Sequence, residues 1–148
     1  MTQQPSISVE FDPRELKLRL HAVIAADVEA ISLFTDQAMD LVREMCGAEG
    51  KNFDVEMALR EALANAVRHG CQADPGKQVE CLVACDENRG MLVVVRDPGT
   101  GFDPAALPSC LNGQNVYSTH GRGVFLINQL MDEVQFENGG AEIRMRKY

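Results

Sequence analysis

The apolar run Met91-Leu92-Val93-Val94-Val95 passes through Arg96 into Asp97-Pro98-Gly99-Thr100-Gly101, a segment made to bend. Five successive apolar residues, three of them β-branched, suit a strand buried on both faces, so this stretch is expected at the centre of a sheet. Residues 78–86 alternate, with Val79, Cys81, Val83 and Cys85 on one face, and residues 87–90 provide the turn that joins the two strands.

The remaining elements follow from periodicity. Ile7, Val9 and Phe11 alternate with polar neighbours, as do Leu16, Leu18 and Leu20 with Lys17, Arg19 and His21; Pro13 separates these two expected strands. Residues 27–46 place Val28, Ile31, Ala38, Leu41, Val42 and Met45 at helical spacing, and Gly47 and Gly50 end that helix. A second helix is expected over residues 54–69, stopping at Gly70, with Val55, Leu59, Ala62, Leu63 and Ala66 on one stripe facing a core. After a long loop, residues 121–131 read as a short helix, apolar on nearly every side and therefore buried. Two strands then flank Asn138-Gly139-Gly140, a good hairpin turn. The order predicts an α+β two-layer sandwich: one mixed, mostly antiparallel sheet covered on one face by helices, in a single domain over residues 1–148.

Composition narrows the function. At 148 residues, 45% hydrophobic and 24% charged, the chain can bury its own core without a disulfide or metal staple. No apolar stretch approaches the roughly 18 residues of a membrane helix, and no apolar block adjoins the first basic residue, Arg14, so neither a span nor a secretory signal is expected. Five cysteines without a Cys-x-x-Cys pair make neither a disulfide framework nor a zinc site. These features point to a cytoplasmic protein. A net charge of −8 with scattered basic residues argues against direct binding of nucleic acid or an anionic membrane. A bound nucleotide stays open, because backbone N–H groups and a metal ion can hold phosphates.

Three segments carry chemistry. Glu61, Asn65 and His69 stand four residues apart on the second helix, along a line that flanks its apolar stripe and so borders a cleft; alanines at 58, 62, 64 and 66 leave room beside them. A solvated helix edge would look the same. Asp97-Pro98-Gly99-Thr100-Gly101-Phe102 puts a carboxylate at a strand end beside two glycines that let backbone approach a ligand; a capped Pro-Gly turn is the plainer reading. Gly121-Arg122-Gly123-Val124 opens a helix, where free N–H groups and the dipole favour an anion. It is not a dinucleotide fingerprint, since Leu126 stands where a third glycine is needed, and no Walker-type loop occurs.

Together, in this order, the segments resemble the N, G1 and G2 boxes of the GHKL (Bergerat-fold) ATPase superfamily. Glu61-x-x-x-Asn65-Ala66-Val67-x-His69 and Gly121-Arg122-Gly123-x-Phe125-Leu126-Ile127-x-x-Leu130-Met131-Asp132-Glu133-Val134 are most similar to the bacterial anti-sigma factor serine/threonine kinases. The resemblance implies ATP and Mg²⁺ as ligands. It implies Asn65 as the metal ligand, Asp97 as acceptor from the adenine amino group, and Gly99 and Gly101 as the glycines passing close to the base. Gly121 and Gly123, with Arg122 and Val124 beside them, would face the phosphates, residues 103–120 would form a lid, and Glu61 would be the general base. His69 is read as a helix-end residue near the lid, with a nucleotide contact as the alternative, and His120 as a lid hinge, with a catalytic histidine as the alternative. Residues 1–14 would be an extension strand able to pair with another protomer. The implied protein sequesters a sigma factor, phosphorylates a STAS-type anti-anti-sigma antagonist on serine, and forms a homodimer. Two alternatives remain: a non-catalytic, nucleotide-gated binding module and a stressosome-type switch kinase.

Overall fold

The computed structural model describes residues 17–46, 51–71, 74, 76–86, 90–99 and 119–148. They form β1 (Leu18–Ala25), α1 (Val28–Cys46), α2 (Lys51–Asn65) continued by a π turn (Ala66–Gly70), β2 (Gln78–Asp86), β3 (Gly90–Arg96), α3 (Thr119–Leu130), β4 (Glu133–Glu137) and β5 (Glu142–Lys147). The sheet order is β1-β2-β3-β5-β4, and every described pairing is antiparallel. The expected α+β sandwich is present, with β3 at its centre. The expected strand at residues 7–11 and residues 103–118 of the expected lid lie outside the described residues, while Thr119 and His120, the last two residues assigned to that lid, open α3.

Why β3 is apolar throughout is visible in its register. Met91, Val93 and Val95 face the helices with Val79, Cys81, Val83, Ile143 and Met145, while Leu92 and Val94 join Leu82 in a smaller cluster on the opposite face. A strand buried on both faces has no position at which a polar side chain could be solvated. The alternating residues of β2 split between the same two faces as the sequence predicts. Cys81 is fully buried, and loss of solvent pushes its thiol up to about 12. Cys85 on the same face is disulfide-bonded, whereas the cysteine count gave no reason to expect a bridge; Cys71 and Cys81 are free.

The α2 stripe is buried as expected, with Val55, Leu59 and Leu63 at 0% exposure, and this helix packs against both α1 and α3. The α1 stripe is rotated from the predicted one. Thr35, Ala38, Met39 and Val42 are buried, while Val28 is 76% exposed and Leu41 and Met45 lie at the surface. Thr35 is tolerated inside because its hydroxyl donates to the Ile31 carbonyl at 2.8 Å, so the core receives a satisfied donor. Helix α3 likewise buries one side and not all: Gly123 and Ile127 are buried, and Asn128 and Gln129 are exposed. It also begins two residues earlier than expected, at Thr119.

Two features fix the end of β3. Arg96 pairs with Glu142 on β5, its Nε donating at 2.8 Å, and its Nη1 reaches Glu80 on β2 at 3.4 Å; His21 Nε2 lies 2.8 Å from the other Glu80 oxygen. One residue on, the Asp97 amide donates to the Ala141 carbonyl at 2.9 Å. The β4–β5 turn that supplies this carbonyl needs its glycines, since Gly139 and Gly140 adopt φ of 67° and 97°.

Truncating the α2 core should therefore be costly and truncating the exposed side of α1 should not. Leu59→Ala is expected to lose roughly 2–5 kcal/mol of unfolding free energy, from transfer and cavity terms together. Leu33→Ala, at a 60% exposed position, should change it by no more than about 0.5 kcal/mol. Chemical denaturation of both variants checks the pair.

Candidate functional site

One end of α2, the end of β3, the first turns of α3 and the β4–β5 hairpin enclose a cavity of about 430 Å³. That lies within the range of small-molecule sites. Its walls are apolar: Ala62 and Ala66 from α2, Val95 from β3, Val124 and Ile127 from α3, and Phe136, Ala141 and Ile143 from the hairpin. Polar groups sit at separate places on this wall, with Asn65 and His69 on α2 and its π turn, Asp97 after β3, and Lys77 before β2.

Asn65 is the last α-helical residue of α2. Its side-chain Oδ1 is buried and has no hydrogen-bond partner. A buried amide oxygen without a donor is costly, so its retention points to a ligand that supplies one or to a cation. Gly123 explains how α3 comes this close. A Cβ there would stand 2.7 Å from Asn65 Nδ2 and 3.2 Å from both Asn65 Oδ1 and Glu61 Oε2. The missing side chain lets α3 pack directly against this amide and this carboxylate, and oxygens of those two kinds suit a hard, oxygen-binding cation that takes its other ligands from phosphates and water. Because α3 begins at Thr119, Gly123 lies past its first turn, where N–H groups are already taken up by the helix. Gly121 lies within that first turn. The side chains of His120 and Arg122 lie outside the described residues, as does Gly101.

Asp97 lines the same cavity from the end of β3. Its Oδ1 accepts from the Gly99 amide at 2.8 Å. Loss of solvent raises its carboxyl above the usual carboxylate range, and the Gly99 hydrogen bond opposes that rise without cancelling it. Gly99 packs directly on α2's end, since a Cβ there would lie 2.7 Å from the Gly70 carbonyl oxygen and 2.9 Å from Asp97 Oδ1. His69 is held below the ordinary imidazole value, first by loss of solvent and then by the charge of Arg68.

Helix α2 departs from the sequence reading at this point. The α-helical spacing carries Glu61 to Asn65, but residues 66–70 form a π turn closed by Cys71 N–H donating to the Ala66 carbonyl at 2.8 Å. The four-residue stack therefore holds for Glu61 and Asn65 and is widened before His69, which sits exposed at the cavity rim. Ala58 and Ala64 do not line the cavity; Ala58 belongs to the core. The sequence reading missed Lys77 and the hairpin wall of Phe136 and Ala141. Only the turn glycines hinted at the latter, and nothing local to Lys77 marked it.

A family model of the histidine kinase-like ATPase domain matches residues 24–147, which begins within β1 and takes in every later element. The chain is similar to the serine-protein kinase RsbW of Bacillus cereus (strain AH820), at 27% identity over 137 residues, 88% of this chain and 84% of that protein. It is similar also to the serine-protein kinase RsbW of Bacillus subtilis (strain 168), at 34% identity over 104 residues, 64% of this chain and 63% of that one. The architecture and the match over most of its length agree: the chain belongs to the histidine kinase-like ATPase domain family.

Proposed function

We propose that this protein is a Mg²⁺- and ATP-dependent serine kinase that also acts as an anti-sigma factor. It would hold a sigma factor inactive and phosphorylate an anti-anti-sigma antagonist of the STAS type, working in the cytoplasm as a homodimer. The observation that carries the nucleotide reading is the unpartnered, buried Oδ1 of Asn65 beside Glu61 and Gly123, on the same cavity as Asp97. The similarity to proteins named serine-protein kinases supports the choice of acceptor.

In this reading the base enters beside Asp97. With Oδ1 committed to Gly99, the second carboxylate oxygen accepts from the exocyclic amino group of adenine. Guanine presents a carbonyl at that position, so two acceptors would face each other and GTP is rejected. Asn65 Oδ1 would hold Mg²⁺, which when bound would neutralise charge on the phosphates. Gly121, in the first turn of α3, directs its N–H toward the same phosphates, with Arg122 and Val124 alongside.

Glu61, one α-helical turn before Asn65, is placed to take the hydroxyl proton of the acceptor serine. The serine oxygen then attacks the γ-phosphorus, the bond from that phosphorus to the β–γ bridging oxygen breaks, and ADP leaves.

Three measurements test this reading. With γ-labelled ATP and the antagonist, Glu61→Gln should lower serine labelling about 10²- to 10⁴-fold while keeping the ATP-induced rise in melting temperature. Undiminished labelling would contradict the base role, and intact partner regulation without labelling would favour the nucleotide-gated module. Asn65→Ala should abolish the gain in ATP affinity that Mg²⁺ brings over EDTA, as read by titration calorimetry.

Asp97→Asn should separate stability from binding. The folded-state carboxyl lies above its unfolded value, so the folded state binds its proton more tightly. The wild type therefore loses stability as pH rises above the ordinary carboxylate range. Without ligand, the variant should melt at or above the wild type at neutral pH, and the gap should close on acidification. Its ATP affinity should fall about ten- to a hundredfold, the value of one hydrogen bond to a charged acceptor.

A further inference from the structure

At Gly70 the carboxylate of Asp97 occupies the space that any side chain would take. A Cβ built there falls on Asp97, and its three nearest atoms are the Cγ, Oδ1 and Oδ2 of that carboxylate. The carboxylate has little freedom to retreat. Its Oδ1 accepts from Gly99 N–H at 2.8 Å, and its own amide is tied to Ala141 on the hairpin at 2.9 Å. Gly99 in turn rests on the Gly70 carbonyl and Cα, so the three residues are mutually wedged. Gly70 reaches this spot because α2 ends in a π turn: closing on Ala66 instead of Val67 admits one extra residue into the last turn. Such turns recur at functional sites, and here the last residue of the turn lies against the carboxylate that lines the described part of the cavity wall.

We infer that Gly70 is a specificity-positioning residue: the clearance left by its missing side chain, presented by the π turn, sets the Asp97 carboxylate where it reads the amino group of a 6-aminopurine. This rests on the proposed role of Asp97 as the base contact and adds what holds that contact in place. Gly70 itself touches no reacting atom. Its effect is confined to which base is accepted, so a substitution there moves nucleotide preference more than triphosphate binding.

The test is a double-mutant cycle of Gly70→Ala with Asp97→Ala, read in two ways. The first readout is the melting temperature of the full chain without ligand. Gly70→Ala should lower it in the wild-type background and leave it within error in the Asp97→Ala background, where all three clashing atoms are gone. If Gly70→Ala alone fails to fold, recovery of folding in the double variant carries the same meaning. A penalty that persists without the carboxylate overturns the inference.

The second readout is affinity for ATP against purine riboside triphosphate, which lacks the 6-amino group. The wild type should prefer ATP at least tenfold. Gly70→Ala should lose that preference while binding the analogue within about twofold of wild type, and a merely structural defect would weaken both nucleotides alike. Retained preference, or equal loss of both, overturns the inference. A wild type with no preference would overturn the base-contact reading and the specificity role with it, while the melting-temperature cycle still reports separately whether Gly70 makes room for Asp97.

Discussion

The site depends on close approach to one helix from two directions without a side chain between. At one end of the site, α3 comes down on α2 at Gly123, where a Cβ would press on the Asn65 amide and the Glu61 carboxylate. At the other, the segment after β3 reaches the end of the same helix through Gly70 and Gly99. Both approaches are glycine contacts, and each leaves a polar group facing the cavity: an unpartnered amide oxygen at the first and a half-satisfied carboxylate at the second. Side chains at these positions would collide with those groups and push them out of place.

Holding two such contacts open requires a stiff frame. It is supplied by β3, which is buried on both faces and flanked by β2 and β5. The ion pairs of Arg96 with Glu142 and Glu80 link three strands immediately before Asp97. Glu142 is almost wholly buried, so this pair resists solvent screening more than the exposed network joining Arg43 and Arg60 to Asp36, Asp40 and Glu56 across α1 and α2. The consequence is an acidic chain whose cavity is lined by apolar groups, the Asn65 amide and the Asp97 carboxylate, with Lys77 on its described wall.

Much of this was legible in the residues. The two-face burial of β3 followed from its unbroken apolar run, the α2 core stripe from its 3.6-residue period, and the hairpin from Asn138-Gly139-Gly140. What escaped was set by tertiary packing. The α1 stripe was misplaced because its rotation is decided by what α2 and β1 leave uncovered, and because a threonine could enter the core by bonding its own helix. The π turn escaped because an α-helical wheel assumes constant spacing, so His69 was stacked with Asn65 when it is displaced from it. Gly70 reads as a helix stop, since nothing local shows that a carboxylate 27 residues later occupies the place of its Cβ. Lys77 and the hairpin wall face the cavity only once the sheet is assembled.

The central claim is that the end of α2, the end of β3 and the start of α3 grip one magnesium nucleotide. A crystal structure with Mg²⁺ and a non-hydrolysable ATP analogue tests it most directly. The account predicts Asn65 Oδ1 about 2.1 Å from the metal and Asp97 accepting from the adenine amino group across the same cavity. A nucleotide bound elsewhere, or an Asn65 amide turned away from the metal, would contradict it.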